Sequence, residues 1–480
     1  MKKLENLLSM LAVPLSMALA IAAMLGIQLL APHLLTAGEY ARFSTLWSVA
    51  QLLSVALFEW LRISTLRFSH SDGKHLVAYS TPLKRGYALL GSVTIAAAVL
   101  MLLLKHAFPW ATLASACLFF AAAKGCFDGQ QALFRAGELN RSYALSWTAS
   151  GAAALLLFTT ASHFYGEATL GIAALALAYA ASAIAFFRVS HRATPKQAGA
   201  PEKTLAEIFR YGAYVSVSSI VTALFPALVR ALALAWGNEA DLAGSLLMID
   251  LSQRVLLSAG TVINIVILTK AIRLMDRQDA SASTRTQVLG TSMLLLPCIA
   301  GFLAVYPQIG ELFPPPAFKD AFIESALPAT IAAGLIALRV YAVDPLFVIS
   351  KKTHLAIWGT MVSIVVHVVT AWILQDRWGP TADALLNVPL LVSACAGLAT
   401  SAGLAMRMAG IRFPTGSIAL LCGFSIALYC TTSVVQMDNA ILNLIARTAM
   451  GSITYVLLLV LLGRNLIALL KRAPLPAAHD

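Results

Sequence analysis

The sequence predicts an all-α integral membrane protein of about fourteen transmembrane helices, and three observations predict it. Hydrophobic residues make up 59% of the 480-residue chain and charged residues only 12%, where a soluble domain carries about 25% charged. Polar groups are too few to cover the apolar surface in water. Apolar runs long enough to cross ~30 Å of hydrocarbon recur along the whole length. Basic residues are dense in every second loop and sparse in the others, as a chain crossing a bilayer back and forth requires.

The first run follows Lys2 and Lys3 and extends from Leu7 to about Ala31. Ala20-Ile21-Ala22 imitates a signal-peptide cleavage site, but the run outlasts a signal core and is read as a retained first helix. Further spans are expected at 43–63, 86–104, 108–133, 143–163 and 168–187. A polar break from Ser190 to Arg210, with Pro195, Gly199 and Pro201, reads as a linker. Eight spans follow, at 211–236, 242–269, 287–306, 322–349, 354–375, 382–406, 414–436 and 441–469. The organisation expected is an N-terminal six-helix lobe over 1–190 and a cytoplasmic linker over 191–210. A second six-helix lobe covers 211–408, and a C-terminal helix pair with a tail covers 409–480. The longest outer loop is expected from Pro307 to Ala321, and no extramembrane domain is expected on either face.

With both termini cytoplasmic, 25 of the 34 Lys and Arg fall in inner segments, among them Lys84, Arg85, Arg188, Arg192, Lys270 and Lys351. The outer segments hold only Arg42, Lys105, Lys319, Arg377 and Arg447. This bias marks the chain as a multi-pass membrane protein. It also accounts for the net charge of +12 without a nucleic-acid partner. The six cysteines all sit in apolar runs with no C-x-x-C and no metal-ligand spacing, and they are read as buried thiols. No metal, no cofactor and no catalytic residue is expected. The absence of a Gly-rich phosphate loop argues against ATP hydrolysis, and the short outer loops argue against a membrane glycan polymerase or ligase.

A charge at the bilayer centre costs at least ~2.5–3.5 kcal/mol, so each one needs a partner or a watery cavity. Arg230 lies near the end of the seventh span with no carboxylate within four positions. It either pairs with an anionic group of a passenger, since guanidinium grips phosphate with two parallel bonds, or snorkels past Trp236. Asp250 and Arg254 are four apart and share a helix face, as a neutralised pair or as one that a substrate or proton opens. Arg339 and Asp344 are five apart, so they do not stack on a regular helix, and Pro345 should kink it there. Lys124 and Asp128 are again four apart, beside Gly125, which allows close packing. Lys124, Arg230, Arg254 and Arg339 are the substrate-binding candidates; Asp128, Asp250 and Asp344 are the candidates for ion coupling. The cations outnumber the carboxylates, which suits an anionic passenger.

Local patterns recur between the two halves. Thr36-Ala37-Gly38-Glu39-Tyr40-Ala41 corresponds to Trp236-Gly237-Asn238-Glu239-Ala240-Asp241. Leu133-Phe134 followed by Trp147 corresponds to Leu346-Phe347 followed by Trp358. Six-helix repeats of this kind are parallel, related by an axis along the membrane normal. Leu35-Thr36-Ala37-Gly38-Glu39-Tyr40 and Phe209-Arg210-Tyr211-Gly212 resemble the first outer loop and the second-lobe start of the Wzx-type polysaccharide flippases, within the multidrug/oligosaccharidyl-lipid/polysaccharide exporter superfamily. The fourteen-helix count also resembles that superfamily's lipid II flippase branch. The chain departs from the pattern at Val229, before Arg230, and at Gly244-Ser245.

The resemblance implies a non-enzymatic flippase. It would carry polyprenyl-diphosphate-linked oligosaccharide repeat units to the outer leaflet by alternating access, for O-antigen or exopolysaccharide export. Its partners would be the lipid-linked oligosaccharide, membrane lipids and the polysaccharide polymerase machinery. A multidrug or cation antiporter and a lipid II flippase are the alternatives.

Overall fold

The computed structural model describes residues 2–471 apart from 70–73, 137–138, 188, 190–204, 277–279, 351, 409–410 and 412. The core of the expected linker, 191–204, and the basic residues Arg188, Arg192, Lys196, Lys203, Arg277, Lys351, Arg412 and Arg472 therefore lie outside the described residues.

Among the described residues the chain is helical, with no strand. The first six long helices are α1 (Lys2–Leu34), α2 (Ala37–Ser69), α3 (Lys74–Leu103), α4 (Ala111–Ala136), α5 (Asn140–Tyr165) and α6 (Ala168–Ala185). Then come α7 (Leu205–Trp236), α8 (Glu239–Asp276), α9 (Ala280–Leu312) and α10, which runs Pro316–Leu338 and continues through Arg339–Val343 into Asp344–Ile349. The last are α11 (Ala356–Trp378), α12 (Val388–Met408, entered through Asp383–Asn387), α13 (Thr415–Ser433) and α14 (Ala440–Lys471). Thirteen of these segments are long and apolar enough to span a bilayer, and α1 adds the shorter apolar stretch Ala18–Leu34. The protein is a multi-pass integral membrane protein with about fourteen spans.

Short joints separate the helices because their caps are local. Thr36 Oγ1 accepts the N–H of Glu39 at the start of α2, and Asn238 Oδ1 accepts the N–H of Ala240 at the start of α8. Both joints carry a side-chain N-cap, although Thr36 and Asn238 occupy different positions of the recurring pattern. The expected long loop from Pro307 to Ala321 is corrected: α9 continues through Pro307 to Leu312, and Pro316 opens α10 after only residues 313–315. Proline suits a first helical position, where its missing N–H has no helical partner to lose.

The chain divides into two compact units, Met1–Ala235 and Trp236–Asp480. This boundary falls at the end of α7, one helix beyond the polar break. In the first unit α1 packs on α5, while α2 packs on α4, α3 and α6. Small residues set the helix separations. Gly151 of α5 faces the backbone of Ala20 in α1, and Gly212 of α7 lies against the Trp60 carbonyl of α2. In the second unit α8 packs on α10 and α9, α11 on α12, and α9 also carries α13 and α14. Gly244 of α8 lies against the backbone of Phe318 in α10, where a Cβ would not fit. Leu133-Phe134 and Leu346-Phe347 are buried in their respective units. The matching tryptophans differ: Trp147 packs edge-on against Phe127, while Trp358 is exposed.

The thiols correct a further expectation. Cys117 is buried, but Cys298, Cys395 and Cys430 lie on exposed helix faces. An apolar run in a membrane helix has an outer face as well as an inner one, so hydrophobic context alone does not imply burial.

Candidate functional site

The membrane-depth charges fall into separate groups, two in the first unit and two in the second.

In the first unit Lys124 Nζ donates to Asp128 Oδ2 at 2.6 Å, the i, i+4 pair expected on α4. The ammonium also lies 5.4 Å from the centre of the Tyr179 ring of α6. A second pair stands nearby on α2: Arg62 grips Glu59 through Nε at 2.6 Å and again through Nη2. Arg62 is in electrostatic reach of Asp128, and Lys124 is in reach of Arg62. The grouping depends on Gly125 and Gly129, one turn apart on α4. The Phe58 ring of α2 lies against Gly125 and the Tyr87 ring of α3 against Gly129, each in space that a Cβ would occupy. Two acids and two bases thus form a balanced set, with Glu59 buried and the other three half-buried. Charges in a low-dielectric interior are tolerated when paired in this way.

Arg230 of α7 is buried, 3% exposed. Its Nε donates to Ser44 Oγ of α2 at 3.1 Å, and Nη1 donates to the Pro226 carbonyl at 2.9 Å. Snorkelling past Trp236 is thereby corrected, because the guanidinium turns inward toward α2. Pro226 lies within the continuous helix α7, one turn before Arg230. Serine 44 carried no sequence signal of its own, since a helical Ser in a membrane span ordinarily bonds its own backbone.

In the second unit Asp250 is buried and Arg254 half-buried on α8, one turn apart. Near them Ser325 of α10 donates to Ser245 Oγ of α8 at 2.7 Å, and Asn387 Nδ2 donates to Ser325 Oγ at 3.0 Å.

Arg339 and Asp344 correct the reading of their spacing. On a regular helix, positions five apart lie about 140° apart around the axis. Residues 339–343 instead form a π-helical turn, in which the Asp344 N–H bonds the Arg339 carbonyl. The wider turn brings the two side chains together, with Arg339 Nε 3.7 Å from Asp344 Oδ2. Arg339 Nη1 donates to Ser363 Oγ of α11 at 3.0 Å, and Asp344 Oδ1 accepts from Ser401 of α12 at 2.9 Å. Gly397 of α12 makes room, since a Cβ there would stand 2.8 Å from Arg339 Nη1. Pro345, where a kink was expected, comes directly after Asp344 at the end of this π-turn. It has no N–H, so the Tyr341 carbonyl four residues earlier loses its helical donor. Gln287 Nε2 of α9 supplies that donor at 2.6 Å, with Thr291 Oγ1 at 3.3 Å. Membrane helices tolerate proline where neighbours re-satisfy the freed group in this manner.

Sequence reasoning missed Ser44, Gln287, Ser363, Ser401 and Asn387. It also counted Arg447 with the outer segments, although the position falls within the 441–469 span. The structure sets Arg447 within α14, donating to the carbonyls of Ala304, Val435 and Ser433. Gln287 and Asn387 do carry a signal: an amide side chain inside an apolar span needs a partner there.

The chain matches no family model and no curated protein sequence. Among solved structures, it is similar to the lipid II flippase MurJ in an inward closed conformation. That match has a TM-score of 0.71 at 12% identity and covers 96% of this chain and 100% of that one. An outward-facing multidrug resistance MATE family transporter of the MOP superfamily gives a TM-score of 0.56 at 15% identity, over 84% of this chain and 96% of that one. A MOP superfamily transporter from Pyrococcus furiosus, described as having a binding pocket of reversed polarity, gives 0.53 at 13% identity, over 82% and 95%. The neighbours are transporters and flippases rather than enzymes, and the chain shares their fold.

Proposed function

We propose that this protein is a flippase for polyprenyl-diphosphate-linked oligosaccharide repeat units. It would move them from the cytoplasmic to the outer leaflet of a bacterial inner membrane by alternating access, with no catalytic residue and no cofactor. The observation that carries the reading is the charge balance at membrane depth. Lys124, Arg230, Arg254 and Arg339 stand against Asp128, Asp250 and Asp344. Arg230 is buried and held in place by Ser44 and its own helix. An oriented guanidinium in a low-dielectric setting suits a diphosphate. Lys124 and Arg339, each beside a carboxylate, and Arg254, one turn from Asp250, are further candidates to receive it, and the three aspartates are candidates for ion coupling. Membrane lipids and a polysaccharide polymerase are the partners this role implies.

A second reading differs only in the passenger. The lipid II flippase fold is matched over nearly the whole chain, whereas the multidrug transporters leave about one-sixth of it unmatched. Lipid II as cargo is therefore favoured over a drug, and both lipid cargoes present a diphosphate.

Extraction and mass spectrometry of lipid-linked glycans from cells lacking this protein tests the reading. Completed repeat units on a polyprenyl diphosphate should accumulate on the inner leaflet. If none accumulates and drug sensitivity rises instead, the antiporter replaces the flippase.

A further inference from the structure

Two π-helical turns occur in the second unit, and they are built alike. Arg339–Val343 precedes Asp344-Pro345, and Asp383–Asn387 precedes Val388-Pro389, so each turn opens six residues before a proline. In both, the N–H just after the turn bonds the carbonyl that opens it, from Asp344 to Arg339 and from Val388 to Asp383. They lie at opposite ends of a parallel pair, one near the end of α10 and one at the entry to α12. Each rests against the regular part of the other helix. Asn387, in the second turn, bonds Ser325 near the start of α10, while Arg339 and Asp344 in α10 reach Gly397 and Ser401 further along α12.

The first turn is also held incompletely. Arg339 is buried and Asp344 half-buried, yet their closest approach is 3.7 Å, longer than a charge-assisted hydrogen bond. Gln287 is fully buried and spends its Nε2 on Tyr341, Asn264 and Thr291, while its Oε1 has no hydrogen-bond partner. A buried acceptor left without a donor carries a standing cost. Tyr341 is held from the side by its hydroxyl contact with Thr261 at 2.7 Å and by its ring against Gly260.

We propose that the α10/α12 pair bends at these two π-turns during the conformational cycle, with the Arg339–Asp344 contact as the latch of the turn in α10. When that turn rewinds to α-helical register, residues before it rotate relative to Asp344. The ion pair separates, and Gln287 gives up the Tyr341 carbonyl. When the turn reforms, the pair closes and Gln287 caps the carbonyl again. No covalent step is involved. The device goes beyond the transport reading and rests on it only for its readout in cells.

Hydrogen–deuterium exchange of the full-length protein in lipid nanodiscs, followed on peptides spanning 336–349, tests it. Wild-type amides of 339–343 should exchange at least about tenfold faster than those of the preceding turns, as locally openable segments do. Gln287→Leu removes the external cap and should speed that exchange further. Pro345→Ala restores the missing N–H and should slow it to the rate of the flanking helix. Wild-type exchange as slow as in the flanking turns overturns the proposal, as do rates that Gln287→Leu leaves unmoved. If Pro345→Ala does not insert, Gln287→Leu decides alone. Complementation separates this from the transport reading. Pro345→Ala that slows exchange yet supports full glycan export overturns the latch and leaves the flippase standing. A wild-type chain that moves no polyprenyl-diphosphate lipid removes the flippase and leaves the exchange result standing.

Discussion

Arg230 is the residue at which the proposed recognition of a diphosphate is most sharply testable. Its Nε and Nη1 are committed to Ser44 and Pro226, which fixes the plane of the guanidinium and the direction its remaining N–H groups face. Arg230→Ala should abolish transport while leaving membrane insertion intact, as read by expression level and lipid accumulation. Arg230→Lys keeps the charge and loses the planar fork, and a lost charged hydrogen bond is worth ~1.5–3 kcal/mol. Transport by the lysine variant should therefore fall at least about tenfold, and full activity would remove the diphosphate assignment. Lys124 and Asp128 make the opposite case, because their charges neutralise each other at 2.6 Å. Breaking such a pair leaves a buried charge and costs about 3–5 kcal/mol, whereas replacing both partners with apolar groups is often neutral. Thermal unfolding in detergent should show Lys124→Met far less stable than Lys124→Met/Asp128→Leu. Equal loss in both would show the charge balance to be unimportant. The Lys124–Asp128 pair was legible from spacing alone. Arg339–Asp344 was not, because a π-turn changes which residues share a face, and no residue count reveals the turn.

At the scale of the helix, glycine decides which elements meet. Gly125 and Gly129 receive the Phe58 and Tyr87 rings, so α2 and α3 pack on α4 through space that only glycine leaves. Gly125→Leu should displace Phe58 and with it Glu59 and Arg62, destabilising the unit by about 1–3 kcal/mol as overpacking does. A drop in the unfolding temperature together with loss of the Glu59–Arg62 pairing checks this; an unchanged unfolding temperature contradicts it. Element boundaries followed from hydropathy because a bilayer demands about twenty apolar residues per crossing. Two elements escaped that logic. Pro307 was read as a loop signal, yet α9 runs through it. A kink was expected at Pro345, but the π-turn before it, sustained from α9 by Gln287 and Thr291, was not. In both cases a tertiary environment overrides a local signal, and that environment is not written in the segment itself.

For the molecule as a whole, the alternation of basic loops predicts orientation. Lys105, Lys319 and Arg377 should face outward, and Lys84, Lys270 and Arg407 inward. Single cysteines at Lys105 and Arg377, in a chain with its six native cysteines replaced by serine, should react with an impermeant maleimide in intact cells. Cysteines at Lys270 and Arg407 should react only after permeabilisation. The reverse pattern would invert the topology and the direction of transport. The transporter fold was legible at this scale from helix count and charge alternation, and the similarity to the lipid II flippase structure extends over nearly the whole chain. The passenger was not legible, because a diphosphate asks only for well-placed cations and says nothing about the sugars attached to it.

The most direct measurement is lipid flipping by the purified protein in liposomes. The probe is a fluorescent polyprenyl-diphosphate oligosaccharide, and its loss from one leaflet is read by quenching with membrane-impermeant dithionite. Wild-type protein should raise the quenchable fraction above the half that empty liposomes show, while Arg230→Ala should not. Equal quenching in the presence and absence of wild-type protein would contradict the flippase account.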